Sequence, residues 1–464
     1  DDIRHKSART DMLLLRAAPG AAIRRAGAAR AACRVLSSAS AMRPPVVAVE
    51  PRVELGARGV APNALVDANG GLQEFSVVYT DRALNHMSAP FCTVMQEIHA
   101  LLCRAYKADH CVVIPGSGTY GMEAAARAFA GAGDKVVVVR NGYFSYRWTQ
   151  IFEELGNNKL TVMRARPLGA ESAEASTAPG PCACHPGQQC GGWAKGSEPC
   201  FAPPPIDEVV AVIRRERPAL VCAPHVETSA GIILPPDYIR ALGAAAKEVG
   251  AAFVLDGIAS GAAWVDMADW GVDCYLTAPQ KGWTGPASSA LVMLSARGRE
   301  LMATRAAAGH KSGSFCVNLP KWHGVMQTYL DGGFSYYTTM PTDALRTFRD
   351  AAAETEAVGL EAVEAECWRL GAGVRSLLAA RGFRSVAARG FEAPGVAVVY
   401  APDASFAGKF KARSGFQIAA GVPLMVGEAA DMTSFRIGLF GLDKWTRVDK
   451  ALAVFEEGLD KALA

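Results

Sequence analysis

The chain of 464 residues has no apolar run approaching the roughly 20 residues that cross a bilayer, so no helical membrane span is expected. It also lacks a disulfide framework. Its 12 cysteines are scattered, and Cys111, Cys222 and Cys274 sit inside apolar runs, the pattern of reduced, buried thiols. Excess charge is missing too. The net charge is only +3; the first 43 residues carry +6, which leaves −3 for the remainder. The basicity therefore belongs to the N-terminal segment, and no nucleic-acid surface is expected. Acid is wholly absent between Met12 and Val49, where Ala, Arg and Ser dominate. That is the composition of an organelle transit peptide, expected here to be mitochondrial, with plastid, peroxisome, cytosol or a plain basic tail as alternatives. Because residue 1 is not Met, Met12 is a possible start.

What is present is a large apolar content, half of all residues, enough for an extensive core in one to three domains. Val94–Ala105 has the spacing of an amphipathic helix. Strands and helices then alternate: Cys111–Ile114, Met122–Ala130, Lys135–Val139, Tyr146–Leu155, Leu160–Met163, Ile206–Arg215, Ala219–Cys222, Pro236–Val249 and Ala290–Leu294. This order predicts an α/β class with a doubly wound, mostly parallel sheet. Asp343 to about Ala380 reads as helix interrupted at Gly359 and Gly371, followed by strands Val396–Tyr400 and Phe435–Leu439 and a last helix, Thr446–Leu463. The expected domains are a leader at 1–45, a large α/β domain at 46–340 and a smaller α+β domain at 341–464. The segment 169–205, rich in Gly and Pro, reads as a surface insertion; Cys182, Cys184, His185, Cys190 and Cys200 are zinc-type ligands at a spacing no usual structural site has.

The chemistry concentrates between Phe253 and Pro286. One apolar run, Ala251–Leu255, ends on Asp256; a second, Cys274–Leu276, leads through Thr277-Ala278-Pro279-Gln280 to Lys281. Runs of this kind are strands buried on both faces, and their carboxyl ends are where open α/β sheets build sites. An amine and a carboxylate placed so suit pyridoxal 5′-phosphate, which needs a lysine for its Schiff base and an acid against its pyridine nitrogen. An ordinary ion pair is the alternative.

Further motifs narrow the choice. Pro115-Gly116-Ser117-Gly118-Thr119-Tyr120-Gly121, between a strand and a helix, is built to cradle a phosphate on backbone N–H groups. It also satisfies G-x-G-x-x-G, so an NADP-binding oxidoreductase, with Arg140 meeting a 2′-phosphate, is a second reading. In order follow Asn141-Gly142-Tyr143-Phe144, His225-Val226-Glu227-Thr228-Ser229-Ala230-Gly231, Asp256, Gln280-Lys281, Tyr336-Tyr337-Thr338-Thr339-Met340-Pro341 and Phe435-Arg436-Ile437-Gly438. This ordered set resembles the class V, fold-type I aminotransferases, within them the alanine–glyoxylate and serine–glyoxylate group, from about Phe75 to the C-terminus without the insertion.

The resemblance implies that Lys281 holds the cofactor and moves the substrate's α-proton, and that Asp256 pairs with the ring nitrogen. It implies that Ser117, Gly118, Thr119 and Gln280 bind the phosphate, although the family often has His in place of Thr119. Phe144 would stack on one ring face, Ile258 on the other, and Thr228 would donate to the phenolic oxygen. Tyr336 and Thr339 match a segment that reaches the phosphate of the neighbouring subunit, which implies a homodimer with shared sites. Arg436 matches the clamp for the substrate carboxylate, where a guanidinium fork meets two oxygens. The implied partners are a small amino acid, alanine or serine, and a keto acid such as glyoxylate or pyruvate; no nucleic acid or membrane is expected. Arg82 stands where the family often has a Pro-Gly-Pro turn and could read a second anionic group of the substrate. Cys316 is the loop thiol that a desulfurase or lyase of the same fold would need.

Overall fold

In a computed structural model the described residues are 84–157, 159–168, 181–182, 185–189 and 198–464, with 181–182 and 185–189 described by backbone alone. All lie in one unit, Asn69–Ala464. The leader, Arg82 and the side chains of Cys182, Cys184, His185 and Cys190 fall outside the described residues.

Helix α1, Ala89–Tyr106, starts where Ser88 accepts from the Phe91 N–H and Pro90 occupies the first turn; it stops at Lys107, left-handed at φ 52°. The β-branched and apolar runs then form strands, since a stretch buried on both faces needs no polar alternation. They are β1 His110–Pro115, β2 Val136–Arg140, β3 Leu160–Arg164, β4 Leu220–Pro224, β5 Ala252–Asp256, β6 Cys274–Thr277 and β7 Ser289–Leu294. The sheet order is β1-β7-β6-β5-β4-β2-β3. β5 runs parallel to β4 and β6, and β2 to β3 and β4, while β7 is antiparallel to both β6 and β1. Six strands thus point one way, and their carboxyl ends share one edge. Helices α2 (Gly118–Phe129), α3 (Tyr143–Glu154), α4 (Ile206–Glu216) and α5 (Pro236–Val249) connect them. α2 and α3 start four and three residues earlier than the pattern suggests. Neither Gly118-Thr119-Tyr120-Gly121 nor Tyr143-Phe144-Ser145 shows the 3–4-residue apolar spacing of the turns that follow, so the first turn is invisible to periodicity.

Helices α6 (Ala296–Ala307) and α7 (Leu319–Leu330) follow the sheet. The long helical stretch is two helices, α8 Thr342–Val358 and α9 Leu360–Ala380. Gly359 breaks it at φ 100°, a conformation closed to most residues, whereas Gly371 continues α9. Gly371 is glycine for a different reason: a Cβ there would lie 2.6 Å from the Pro394 carbonyl oxygen. A second sheet, β8 Val396–Tyr400, β9 Ala419–Ala420 and β10 Ser434–Gly438, has the antiparallel order β8-β10-β9. The chain closes with helices α10 (Phe406–Ser414) and α11 (Val448–Leu463). The end of the 169–205 segment is tied into this body. Cys200–Ala202 pairs with Arg166–Leu168, and Phe201 exchanges backbone bonds with Val386 and Ala388. Among the described residues no helix is long and apolar enough to cross a membrane.

Three imidazoles from α1, β1 and α7 are pressed together in the core. His99 Nε2 lies 3.2 Å from His110 Nδ1, and the His110 and His323 rings are 4.4 Å apart. Burial pushes His110 down to about 3, with the His323, His99 and Arg299 charges adding to it. The unfolded chain therefore takes up its proton first as pH falls. Stability that is complete above the ordinary histidine value is lost as pH drops from 6.5 toward 3, by up to about 1.4 kcal/mol per pH unit for such a site. Asp256 and Glu364, both raised to about 7, have the opposite sign, so the comparison needed is with His110→Gln. The urea midpoint of this variant is expected to fall less steeply between pH 6.5 and 5; an unchanged slope would remove His110 from the effect.

Candidate active site

The segments that follow β1, β2, β4 and β6, and the last residue of β5, carry the candidate site residues of the large sheet. β1 ends in Gly116 at φ 126°, and Ser117 opens α2 without using its side chain as a cap. The Tyr120 N–H donates to the Ser117 carbonyl, while the Gly118 and Thr119 N–H groups have no hydrogen-bond partner among the described residues and form the positive end of the helix. Gly118 is buried beneath Ile258: a Cβ there would come within 2.6 Å of the Ile258 Cδ1. Gln280 Oε1 is buried and has no hydrogen-bond partner among the described residues. The cradle therefore presents two unengaged backbone donors and, beside them, one unengaged amide oxygen, an acceptor.

β5 ends in Asp256, whose Oδ1 accepts from the Ile258 N–H at 3.0 Å. Burial pushes the carboxyl up to about 7; the Ile258 N–H and Arg147 pull it down, while the Glu227 carboxylate pushes it up. β6 leads through a turn to Lys281, whose Nζ lies 5.7 Å from the centre of the Phe440 ring. Burial depresses the Lys281 amine, the Arg436 charge depresses it further, and Asp256 opposes both. Arg436 and Asp256 thus both act electrostatically on Lys281. Trp283, two residues on, anchors this turn: its Nε1 donates to the buried Tyr106 hydroxyl at 2.9 Å, and its ring lies 4.8 Å from Trp264. Gly282 packs so closely that a Cβ would enter the Gly261 carbonyl oxygen. Backbone cannot yield there as a side-chain tip could. Gly282→Ala is expected to cost about 1–3 kcal/mol and to displace Lys281; an unchanged urea midpoint would refute this.

Arg436, on β10, is half-buried; its Nε donates to the Ala420 carbonyl at 3.0 Å and its guanidinium carbon stands 5.7 Å from the Phe144 ring centre. Burial lowers its pKa, against the attraction of Glu227. The sequence reading assigned no role to two residues that complete the site. Glu227, fully buried, accepts from the Phe144 and Ser145 N–H groups at 3.2 and 2.8 Å, from the Ser145 hydroxyl at 2.6 Å and from the Ser229 hydroxyl at 2.7 Å. It caps α3 from another element and so fixes Phe144. Arg147, one helical turn beyond Phe144, donates to Thr119 Oγ1 at 2.9 Å and lies 5.7 Å from the Phe144 ring centre. An acid inside His225–Ser229 and an arginine at i+3 were the available signals.

Thr228 is half-buried just past β4. Tyr336 is 65% exposed, with His86 (ring centres 5.2 Å apart) and Thr339 as its neighbours, so neither joins the Lys281 group within this chain. Cys316 is exposed in the turn before α7, its carbonyl taken by Trp322 Nε1. Arg140 turns to Thr149 Oγ1 (2.6 Å), the Met425 carbonyl and the Tyr146 ring. A guanidinium so engaged is not offered to a ribose phosphate.

The family model for aminotransferase class-V matches residues 204–390, the stretch that contains Glu227, Asp256 and Lys281. Residues 204–390 are thus similar to the class V aminotransferases. Among relatives, an L-aspartate–glyoxylate aminotransferase of Paracoccus denitrificans is 27% identical over 282 residues, covering 60% of either chain. A serine–glyoxylate aminotransferase of Hyphomicrobium methylovorum is 26% identical over 276 residues, covering 59% of this chain and 58% of its own. The chain thus spans about six tenths of the length of these curated relatives. The crystal structure of a ureidoglycine–glyoxylate aminotransferase from Bacillus subtilis superposes at a TM-score of 0.64 with 21% identity, covering 83% of this chain and 89% of that one. The fold is accordingly fold-type I. Pyridoxal 5′-phosphate is the cofactor that goes with this family, and the residues present fit it. The Gly118 and Thr119 N–H groups are unengaged among the described residues, Gly118 leaves room beneath Ile258, and the buried Asp256 carboxyl acts electrostatically on the depressed Lys281 amine.

Proposed function

We propose that this protein moves the amino group of a small amino acid, alanine or serine, to a keto acid such as glyoxylate or pyruvate. The reading is carried by Lys281, a half-buried amine beyond β6 on which both Asp256, at the end of β5, and Arg436, on β10, act electrostatically. Pyridoxal 5′-phosphate, when bound, supplies the electron sink for negative charge developing at the substrate α-carbon. Lys281 Nζ is the attachment point and afterwards holds and moves the α-proton; its depressed pKa keeps more of the free amine present. Asp256 is a buried acid that burial holds up at about 7 despite the pull of Arg147, and a protonated ring nitrogen would be its ion-pair partner. Ser117, Gly118, Thr119 and Gln280 would hold the phosphate, Phe144 and Ile258 would bracket the ring, and Thr228 would donate to the phenolic oxygen. Arg436 orients the substrate by its carboxylate, so that the α-proton is presented to Lys281.

The same reading makes the active unit a homodimer in which Tyr336 and Thr339 serve the partner's phosphate, and places it in the mitochondrion through residues 1–45. The decisive assay supplies the cofactor-loaded protein with L-alanine or L-serine and glyoxylate, and quantifies glycine and the new keto acid. No glycine from any small amino donor, with pyruvate also failing as acceptor, would end the proposal. Sedimentation tests the shared site: a monomer with full activity would remove it.

A further inference from the structure

Strand β10 has two faces, and only one is used by the site just described. Successive side chains of a strand point opposite ways. Arg436 faces Phe144, while Ile437 lines a separate cavity of about 620 Å³ between the second sheet and helices α9, α10 and α11. Its floor is apolar, from Val374, Phe410, Ile418, Ile437 and Phe455. Its rim has one sign of charge: Lys444, Arg447 and Lys450 against Asp443 alone. Lys444 is engaged by the Phe440 carbonyl and Asp443. The side chains of Arg447 and Lys450 are exposed and have neither hydrogen bond nor ion pair among the described residues. Two unengaged cations above an apolar hollow recognise a molecule with an anionic end and an apolar body. A hollow of this volume is in the range of small-ligand sites.

We propose that this cavity binds a small amphipathic carboxylate, its chain or ring against Val374 and Ile437 and its anion between Arg447 and Lys450. The ligand lies behind the strand that carries Arg436, and the site is separate from the one Lys281 serves.

The probe is octanoate, titrated calorimetrically into the cofactor-loaded full chain, with octylamine as the control of equal apolar body and opposite charge. One octanoate per chain is expected, with no binding of octylamine. The double variant Arg447→Glu, Lys450→Glu changes only exposed side chains and should weaken octanoate by about tenfold or more. Arg436→Ala should leave this binding in place, which separates it from capture of a carboxylate at the first site. Absence of octanoate binding overturns the proposal, including the case in which a second copy or residues 1–83 already fill the cavity. Equal affinity in the double variant, equal binding of octylamine, or loss of binding in Arg436→Ala overturns it too.

Discussion

Lys281→Ala, loaded with pyridoxal 5′-phosphate, is expected to lose turnover by about 10⁴-fold or more, together with the yellow colour that reports attachment to the lysine. The physical reason is specific to the amine. Among the described residues no other nitrogen near Asp256 or Lys281 is both basic enough to carry a proton and depressed enough to be free part of the time: Arg436 and Arg147 are guanidiniums, which stay protonated, and burial pushes the His225 imidazole down to about 3. Lys281→Arg is therefore expected to be as inactive as Lys281→Ala, although it restores the positive charge beside Asp256. This pair of variants distinguishes an electrostatic role from a covalent one. If Lys281→Arg recovered most of the rate, Lys281 would only be balancing charge. If Lys281→Ala kept the colour and the rate, the site would have been assigned to the wrong residue.

The second large effect is on Arg436. Its guanidinium is held by the Ala420 carbonyl on one side and stands near the Phe144 ring on the other, half-buried and short of an anion of its own. Truncating one partner of a buried charged pair costs about 2–5 kcal/mol, so kcat/KM of Arg436→Ala should fall by about 30-fold to 5,000-fold. KM rises because a contact is lost, and kcat falls because the α-proton is no longer held toward Lys281. Arg436→Lys should recover part of this, since it restores charge without the two-pronged fork. Amines that lack a carboxylate provide the internal control. Their rates should be low in the native protein and unaffected by the change. An Arg436→Ala protein with native kcat/KM for amino acids would place the carboxylate elsewhere, and Arg147, beside Thr119 and Phe144, would be the residue to test next.

The strands of the main sheet were legible because a stretch buried on both faces must be apolar throughout, and little else in a soluble chain is. Asp256 and Lys281 stood out because a charge terminating such a run has to face a site or solvent. Direction was not legible: β7 is as apolar as its neighbours, and a short apolar run reads the same whether it lies parallel or antiparallel. Nor could Gly359 be told from Gly371. One supplies a positive φ that breaks a helix, the other a missing Cβ beside Pro394, and both appear in the chain only as a glycine within helical periodicity. Glu227 went without a role for a similar reason. Its donors come from Phe144 and Ser145, more than eighty residues earlier, and only the fold brings an acid from the end of β4 to the start of α3.

The chain by itself determined the α/β alternation, the Gly-rich turn at Ser117–Thr119 and the chemical identities of Lys281, Asp256 and Arg436, because these depend on side-chain type and local spacing. Tertiary structure alone decided that Asp256 and Arg436 both act on Lys281, that Glu227 holds Phe144 in place, and that β10 turns Arg436 toward Phe144 and Ile437 into a cavity on its other face. Pairings across hundreds of residues are set by how helices and sheets pack, and no local pattern encodes that geometry.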